Sequence, residues 1–326
     1  MQKFEIIARC GYGDINELGT GHLTRSINVI RFLKKSNKIN SKKILFIIND
    51  SRKKNDARKI IKKIDKNFKI KFLKKKEKLS SVNFINNYRV NLLMIDTLSK
   101  IPSSSMSFIK KNAKKVILFD DTNFKSSEFD LKINSLLFKN NLSTKKKLYG
   151  FKYNILSPFF LKINPIRKLK KVFVFFGGYD FNNYTKLFLN LIKKNNFKEF
   201  TFYFDNKYKD HKYFLDKNLR FFNRKNFYQH LASSEIVFCS GGLIAFDSIY
   251  FKKKVFCIPQ FNHQKLNIIK LMKMNLVKKI SINEIQKILN YRNKIHFSVN
   301  NILNQNMINK TLNKINNIYR LAKIEN

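Results

Sequence analysis

Twice along the chain, short apolar runs alternate with polar segments of helical length, and that rhythm restricts the fold more than any other feature. Residues 4–7, 44–48, 90–95 and 116–119 read as buried strands. Residues 68–73 alternate apolar side chains with Lys69 and Lys71, the pattern of a half-buried edge strand. Lys-rich stretches long enough for helices separate most of these runs, which predicts parallel strands joined by crossover helices. A second series follows, with strands expected at 172–176, 200–204, 219–222, 236–239 and 255–258 and helices at 182–193, 227–233, 244–251 and 263–274. Residues 283–323 space Ile and Leu as a helix does. Between the two series, residues 139–170 break the rhythm with three consecutive lysines, Pro158 and Pro165, and read as a junction that is partly packed.

A length of 326 residues agrees with two domains of about 150 each. The expected division is an N-terminal Rossmann-like domain over residues 1–160 and a C-terminal nucleotide-binding Rossmann-like domain over 161–326, the latter including the final helices. Two doubly wound halves imply a cleft, with ligands outside the carboxyl ends of the strands. At 44% hydrophobic residues the chain is no disordered protein. No apolar run approaches the roughly 18 residues of a membrane-spanning helix, and residues 1–4 lead straight into a strand without a secretory core. Cys10, Cys239 and Cys257 are too scattered in sequence to suggest a disulfide framework or a zinc site. A cytoplasmic protein is expected.

The balance of 67 Lys+Arg against 21 Asp+Glu gives +46. Such an excess suits a nucleic-acid or anionic-membrane binder. The lysines, however, are spread through every segment and accompany abundant Asn, Ile and Phe with no Trp, which is the signature of compositional drift on a tolerant surface. Neither nucleic acid nor stable membrane association is expected from it, although a positive field favours anionic substrates such as nucleotides.

The chemistry-bearing residues stand where strands give way to helices. Gly19-Thr20-Gly21-His22-Leu23-Thr24-Arg25 follows the first strand. Its glycines allow close backbone approach, and a helix start attracts anions. His22 and Arg25, three apart, share a helical face distinct from that of Leu23, Ile27 and Ile30. A neutral imidazole there suits a general base; the plainer alternative is a histidine donating to a carbonyl beside a surface arginine. Gly177-Gly178-Tyr179-Asp180 and Ser240-Gly241-Gly242 repeat the strand–loop–helix context, with Asp247 one turn into the second helix. Glycine amides can hold a diphosphate and a carboxylate can accept from ribose hydroxyls, whereas a tight turn with Asp180 as helix cap explains the first loop alone. Asp96 and Asp120-Asp121 end strands of the first half and suit a catalytic acid, a sugar-hydroxyl acceptor, or equally a turn or helix cap. Asn262-His263-Gln264 can read a sugar or cap a helix. No Walker loop, Gly-x-Ser-x-Gly elbow or metal-ligand spacing is present in the sequence.

Taken in order, these motifs resemble the UDP-sugar hydrolases of pseudaminic acid biosynthesis, relatives of the peptidoglycan N-acetylglucosaminyltransferase with a GT-B fold. Arg9 followed by the segment from Gly19 to Arg25 looks like that family's N-terminal signature; Asp96, Asp120-Asp121, Gly177-Gly178 and Gly241-Gly242 through Gln264 match later landmarks. The resemblance implies two Rossmann-like domains facing across a cleft and cleavage of the anomeric carbon–UDP bond by a water that His22 activates. It also implies a diphosphate held by the two Gly-Gly loops, a ribose contact from Asp247, further substrate contacts from Arg9, Gly19, Gly21, Arg25, Asp96, Asn262, His263 and Gln264, and no metal or redox cofactor. The chain departs from the family after Gly242, where Leu243, Ile244, Ala245 and Phe246 replace small hydroxyl residues and Trp. The alternatives are a GT-B glycosyltransferase that uses a UDP-sugar donor, a basic nucleic-acid binder, and a nucleotide-binding relative without turnover.

Overall fold

The computed structural model describes residues 1–12, 21–48, 54–73, 82–97, 104–119, 129–135, 144–156, 163, 169–195, 197–209, 217–223, 225–291, 296–297 and 305–324. They form two compact units: Met1–Pro158 together with Asn304–Asn326, and Phe159–Leu303.

The first unit is built on strands β1 (Gln2–Cys10), β2 (Ile44–Ile48), β3 (Lys69–Phe72), β4 (Tyr88–Asp96), β5 (Ala113–Phe119), β6 (Leu131–Asn134) and β7 (Lys147–Tyr149). They lie in the order β3-β2-β1-β4-β5-β6-β7, all parallel. β2 is buried along its whole length, as befits a parallel strand covered on both faces. Its neighbour β3 is the edge, and its alternating lysines keep one face wet. Helix α1 (Gly21–Asn37) packs Leu23, Ile27, Ile30 and Leu33 inward, while Lys34 and Lys35 favour its negative end. Helices α2 (Lys54–Ile64) and α3 (Ser104–Asn112) complete the crossovers, α2 burying only Ala57 and Ile61.

β6 and β7 fall where the sequence offered no strand. Both are short; Lys132 interrupts the apolar run of β6 and is nonetheless buried, and β7 opens on the last of three consecutive lysines. Part of the junction region therefore belongs to the first sheet. A further difference concerns the last helix, here numbered after all others as α9 (Gln305–Ile324). Expected with the C-terminal domain, it packs on β4, β5 and α1 of the first unit. Ile308, Leu312, Ile315, Tyr319 and Ala322 make its buried stripe, the Tyr319 hydroxyl donates to Glu5 on β1 at 2.8 Å, and Asn37 at the end of α1 donates to Asn316 at 2.7 Å. The stripe fits the apolar surface it covers.

The second unit contains β8 (Lys171–Phe175), β9 (Thr201–Asp205), β10 (Leu219–Phe222), β11 (Ile236–Cys239), β12 (Lys254–Cys257) and the two-residue β13 (Lys278–Lys279). Their order is β10-β9-β8-β11-β12-β13, again parallel. The helices are α4 (Tyr184–Asn195), α5 (Phe227–Ser233), α6 (Leu243–Tyr250), α7 (Asn262–Lys273) and α8 (Ile285–Asn290). Its core is rich in phenylalanine: Phe188 sits edge-on to Phe238 at 5.0 Å, and Phe238 stacks on Phe256 at 5.4 Å.

Candidate functional site

In both sheets the chain reverses its direction of winding beside the first strand of the unit, between β1 and β4 and between β8 and β11. Crossovers diverge at such a point and leave a crevice at the carboxyl ends of the two strands. In the first unit those ends are Cys10 and Asp96, which are register partners, and the Gly11 amide donates to the Asp96 carbonyl at 3.0 Å.

The start of α1 brings two side chains to this point. His22 Nδ1 lies 2.7 Å from Asp96 Oδ1. Arg25 grips the same carboxyl group twice, Nε donating to Oδ2 at 2.8 Å and a terminal nitrogen to Oδ1 at 2.5 Å. Burial by itself would raise the Asp96 pKa, yet the charge and hydrogen bonds of Arg25, with His22 behind them, hold it below the ordinary carboxylate value. An ionised Asp96 only accepts, so the hydrogen on Nδ1 must point at it. The Arg25 nitrogen 3.5 Å from Nδ1 is then a neighbour rather than a donor to it. The remaining ring nitrogen, Nε2, has no hydrogen-bond partner among the described residues. Arg25 is itself buried against the Phe119 ring at 5.3 Å, and the His22 side chain keeps 12% of its surface exposed.

Of the other residues expected in this half, Arg9 is 1% exposed and lies over the Phe84 ring at 5.2 Å, within the packing of the unit. Gly21 opens α1. Gly19, Thr20, Asp120 and Asp121 lie outside the described residues.

The second crevice is lined by the two glycine loops. Gly177 has φ +101°, a conformation that favours glycine. Gly178 receives a hydrogen bond on its carbonyl from Lys207 Nζ at 3.1 Å. Asp180 caps α4, accepting from the amides of Tyr184 at 3.0 Å and Thr185 at 2.7 Å, so its role is the structural one. Gly241 and Gly242 differ in kind. A Cβ on Gly241 would meet the Gln264 carbonyl oxygen and the Ile268 side chain at 2.7 Å, so the start of α7 packs directly on that backbone. Gly242 caps α6 with φ −93°, and a Cβ there would meet nothing within 4 Å. Packing explains the first glycine; open space in front of a helix start remains for the second.

Asp247 is a largely buried carboxylate one turn into α6. It is 8% exposed on the buried side of α6, no described group hydrogen-bonds its side chain, and burial pushes its pKa well above the ordinary value. Gln264 is buried, and its Oε1 accepts from the Gln260 amide at 2.9 Å. Asn262 is exposed at the first position of α7; the His263 side chain lies outside the described residues. The residue missed from sequence is Gln260. Its Nε2 donates to the Phe176 carbonyl at 2.6 Å and its Oε1 accepts from the Asn182 amide at 3.3 Å, tying the first glycine loop to the start of α7. Its position directly after Pro259 was the available signal. Cys239 and Cys257, distant in sequence, are register partners with sulfurs 3.8 Å apart, both reduced and buried. Among the described residues no group of three or more His, Cys, Asp or Glu could hold a metal ion. No described helix is long and apolar enough to cross a membrane.

The architecture has close counterparts among solved structures. MurG of Acinetobacter baumannii aligns over 98% of this chain and 98% of its own, with TM-score 0.54 and 11% identity. The spinosyn rhamnosyltransferase SpnG aligns over 99% and 100%, with TM-score 0.56 and 10% identity. UGT89C1 of Arabidopsis thaliana, complexed with UDP, aligns over 98% and 100%, with TM-score 0.57 and 10% identity. The fold is GT-B-like. No protein-family model and no curated protein matches the sequence. These likenesses run against the expectation of a nucleotide-sugar hydrolase: counterparts named for an activity, such as SpnG, are glycosyltransferases. None of the three is named for pseudaminic acid chemistry.

Proposed function

We propose that the chain is a glycosyltransferase that moves a sugar from a nucleoside diphosphate, UDP in the first instance, to an acceptor hydroxyl. The observation that carries this reading is the His22–Asp96 pair at the reversal point of the first sheet, with Nδ1 engaged and Nε2 available. In the reaction, the acceptor oxygen attacks the anomeric carbon as its proton passes to His22 Nε2. The bond from that carbon to the diphosphate oxygen breaks, and its electron pair leaves with UDP. Asp96 keeps the ring in the required tautomer and balances the imidazolium that forms. Arg25 serves this arrangement by holding Asp96 ionised, a positioning role in place of the substrate contact first expected of it.

The leaving diphosphate needs charge stabilisation, and amides at helix starts supply it without a metal. The second unit offers the Gly177-Gly178 loop before α4 and Gly242 before α6 for that purpose, with the open face of Gly242 as the point of closest approach. That one of the solved counterparts is complexed with UDP supports UDP as the nucleotide to test first.

The test measures UDP binding by calorimetry and acceptor-dependent UDP formation across a panel of UDP-sugars and hydroxyl acceptors. His22→Ala is expected to lower turnover by roughly 10²–10⁴ while UDP binding is kept, since base and nucleotide loops belong to different units. Asp96→Asn should give a loss of similar order. Full activity in His22→Ala, or absence of UDP binding at millimolar nucleotide, would refute the proposal.

A further inference from the structure

At the opposite end of the first sheet from His22, the amino ends of β1, β3 and β4 and the flank of α2 enclose a groove of about 380 Å³. The run of β1 from Phe4 to Cys10 puts the groove about 20 Å from the His22–Asp96 pair at the usual rise per strand residue. Four cations line it, Arg58, Lys62, Lys69 and Lys71, with Gln2 and Asn67 as neutral donors and no carboxylate in its wall. Among the described residues none of the four is ion-paired. Three rest on aromatic faces instead: Lys69 over Phe4 at 5.2 Å, Lys71 over Tyr88 at 5.4 Å and Arg58 over Phe72 at 5.6 Å. Lys62 is fixed by its own bonds to the carbonyls of Lys66 at 2.6 Å and Phe68 at 2.7 Å.

Elsewhere in this unit a lysine does find a carboxylate, as Lys34 does with Asp65 at 2.5 Å. Four positive groups around one concavity repel one another, and the ring faces beneath them return only about 0.5–1 kcal/mol each at exposed sites. Aromatic packing also limits the orientations of three side chains before anything binds, which reduces the ordering cost of a ligand. A single phosphate offers too little charge to satisfy all four; a chain of phosphates matches the number of cations. We propose that this groove is a binding site for a multiply charged phosphate anion, separate from the nucleotide loops of the second unit. The anion can be a free oligophosphate or the phosphate headgroups of a lipid surface, which present the same chemistry.

The test uses the full chain and inorganic tripolyphosphate, by calorimetry at low ionic strength with saturating UDP present to occupy the second unit. Two double variants with equal change in net charge are compared: Lys69→Glu with Lys71→Glu at the groove, and Lys186→Glu with Lys194→Glu on exposed positions of α4. The groove variant is expected to bind at least tenfold more weakly than the parent, the α4 variant within about twofold of it. Lys69→Gln with Lys71→Gln, milder on the edge strand, should fall between them. Cosedimentation with phosphatidylglycerol vesicles forms the second arm; if vesicles rather than tripolyphosphate lose affinity selectively in the groove variant, the lipid headgroup is the source. Equal losses in both double variants, in both arms, would show a general charge effect and overturn the proposal.

Discussion

Asp96 and Asp247 carry the same functional group and the fold treats them oppositely. Asp96 has a guanidinium and an imidazole within hydrogen-bond reach, whereas Asp247 has burial alone. Removing the Arg25 charge, as in Arg25→Met, leaves Asp96 buried beside His22 only, and a loss of about 3–5 kcal/mol is expected from urea denaturation. For Asp247 the sign runs the other way. Its folded pKa lies above its unfolded value, so its carboxyl favours the folded state less and less as pH rises beyond the ordinary carboxylate range. Asp247→Asn should therefore raise Tm at pH 7–8, the gain vanishing near pH 4, with UDP affinity unchanged. A fall in Tm at neutral pH would mean that the carboxylate is satisfied. Sequence spacing could propose both aspartates for the site, but it carried no information on what stands against each carboxyl group.

At the scale of elements, the two glycines between β11 and α6 separate packing from ligand approach. Gly241→Ala forces a methyl group against the Gln264 carbonyl and should cost about 1–3 kcal/mol in thermal or urea unfolding. Gly242→Ala meets no atom of the protein and should cost no more than about 1 kcal/mol as a poorer helix cap, while UDP affinity is expected to drop by tenfold or more because its methyl group enters the space that the proposed function gives to the diphosphate. Unchanged UDP affinity would remove Gly242 from the site. The strands around these loops were readable because residues 44–48, 172–176, 236–239 and 255–258 are continuous apolar runs that end at Asn49, Gly177, Ser240 and Pro259. β6 and β7 were not, since Leu131–Asn134 and Lys147–Tyr149 are held by neighbours in the sheet and have no periodicity of their own. Gln260 escaped for a related reason: its value lies in joining Phe176 to Asn182, a long-range fact.

For the molecule as a whole, the return of α9 to the first unit matters most. Cutting the chain before Gln305 should uncover the surface of β4, β5 and α1 beneath Ile308, Leu312, Ile315 and Tyr319 while leaving the second unit's Phe-rich core intact. Two-probe unfolding is expected to show an early transition from the first unit and a retained one from the second; a single unchanged transition would make α9 dispensable. The last helix also sets an order of events at the ribosome. The seven strands of the first sheet emerge early, yet the helix that seals them is translated only after the entire second unit. Throughout that interval the nascent chain displays an apolar strip, so chaperones have a longer opportunity on the first unit than on the second, which is made after it.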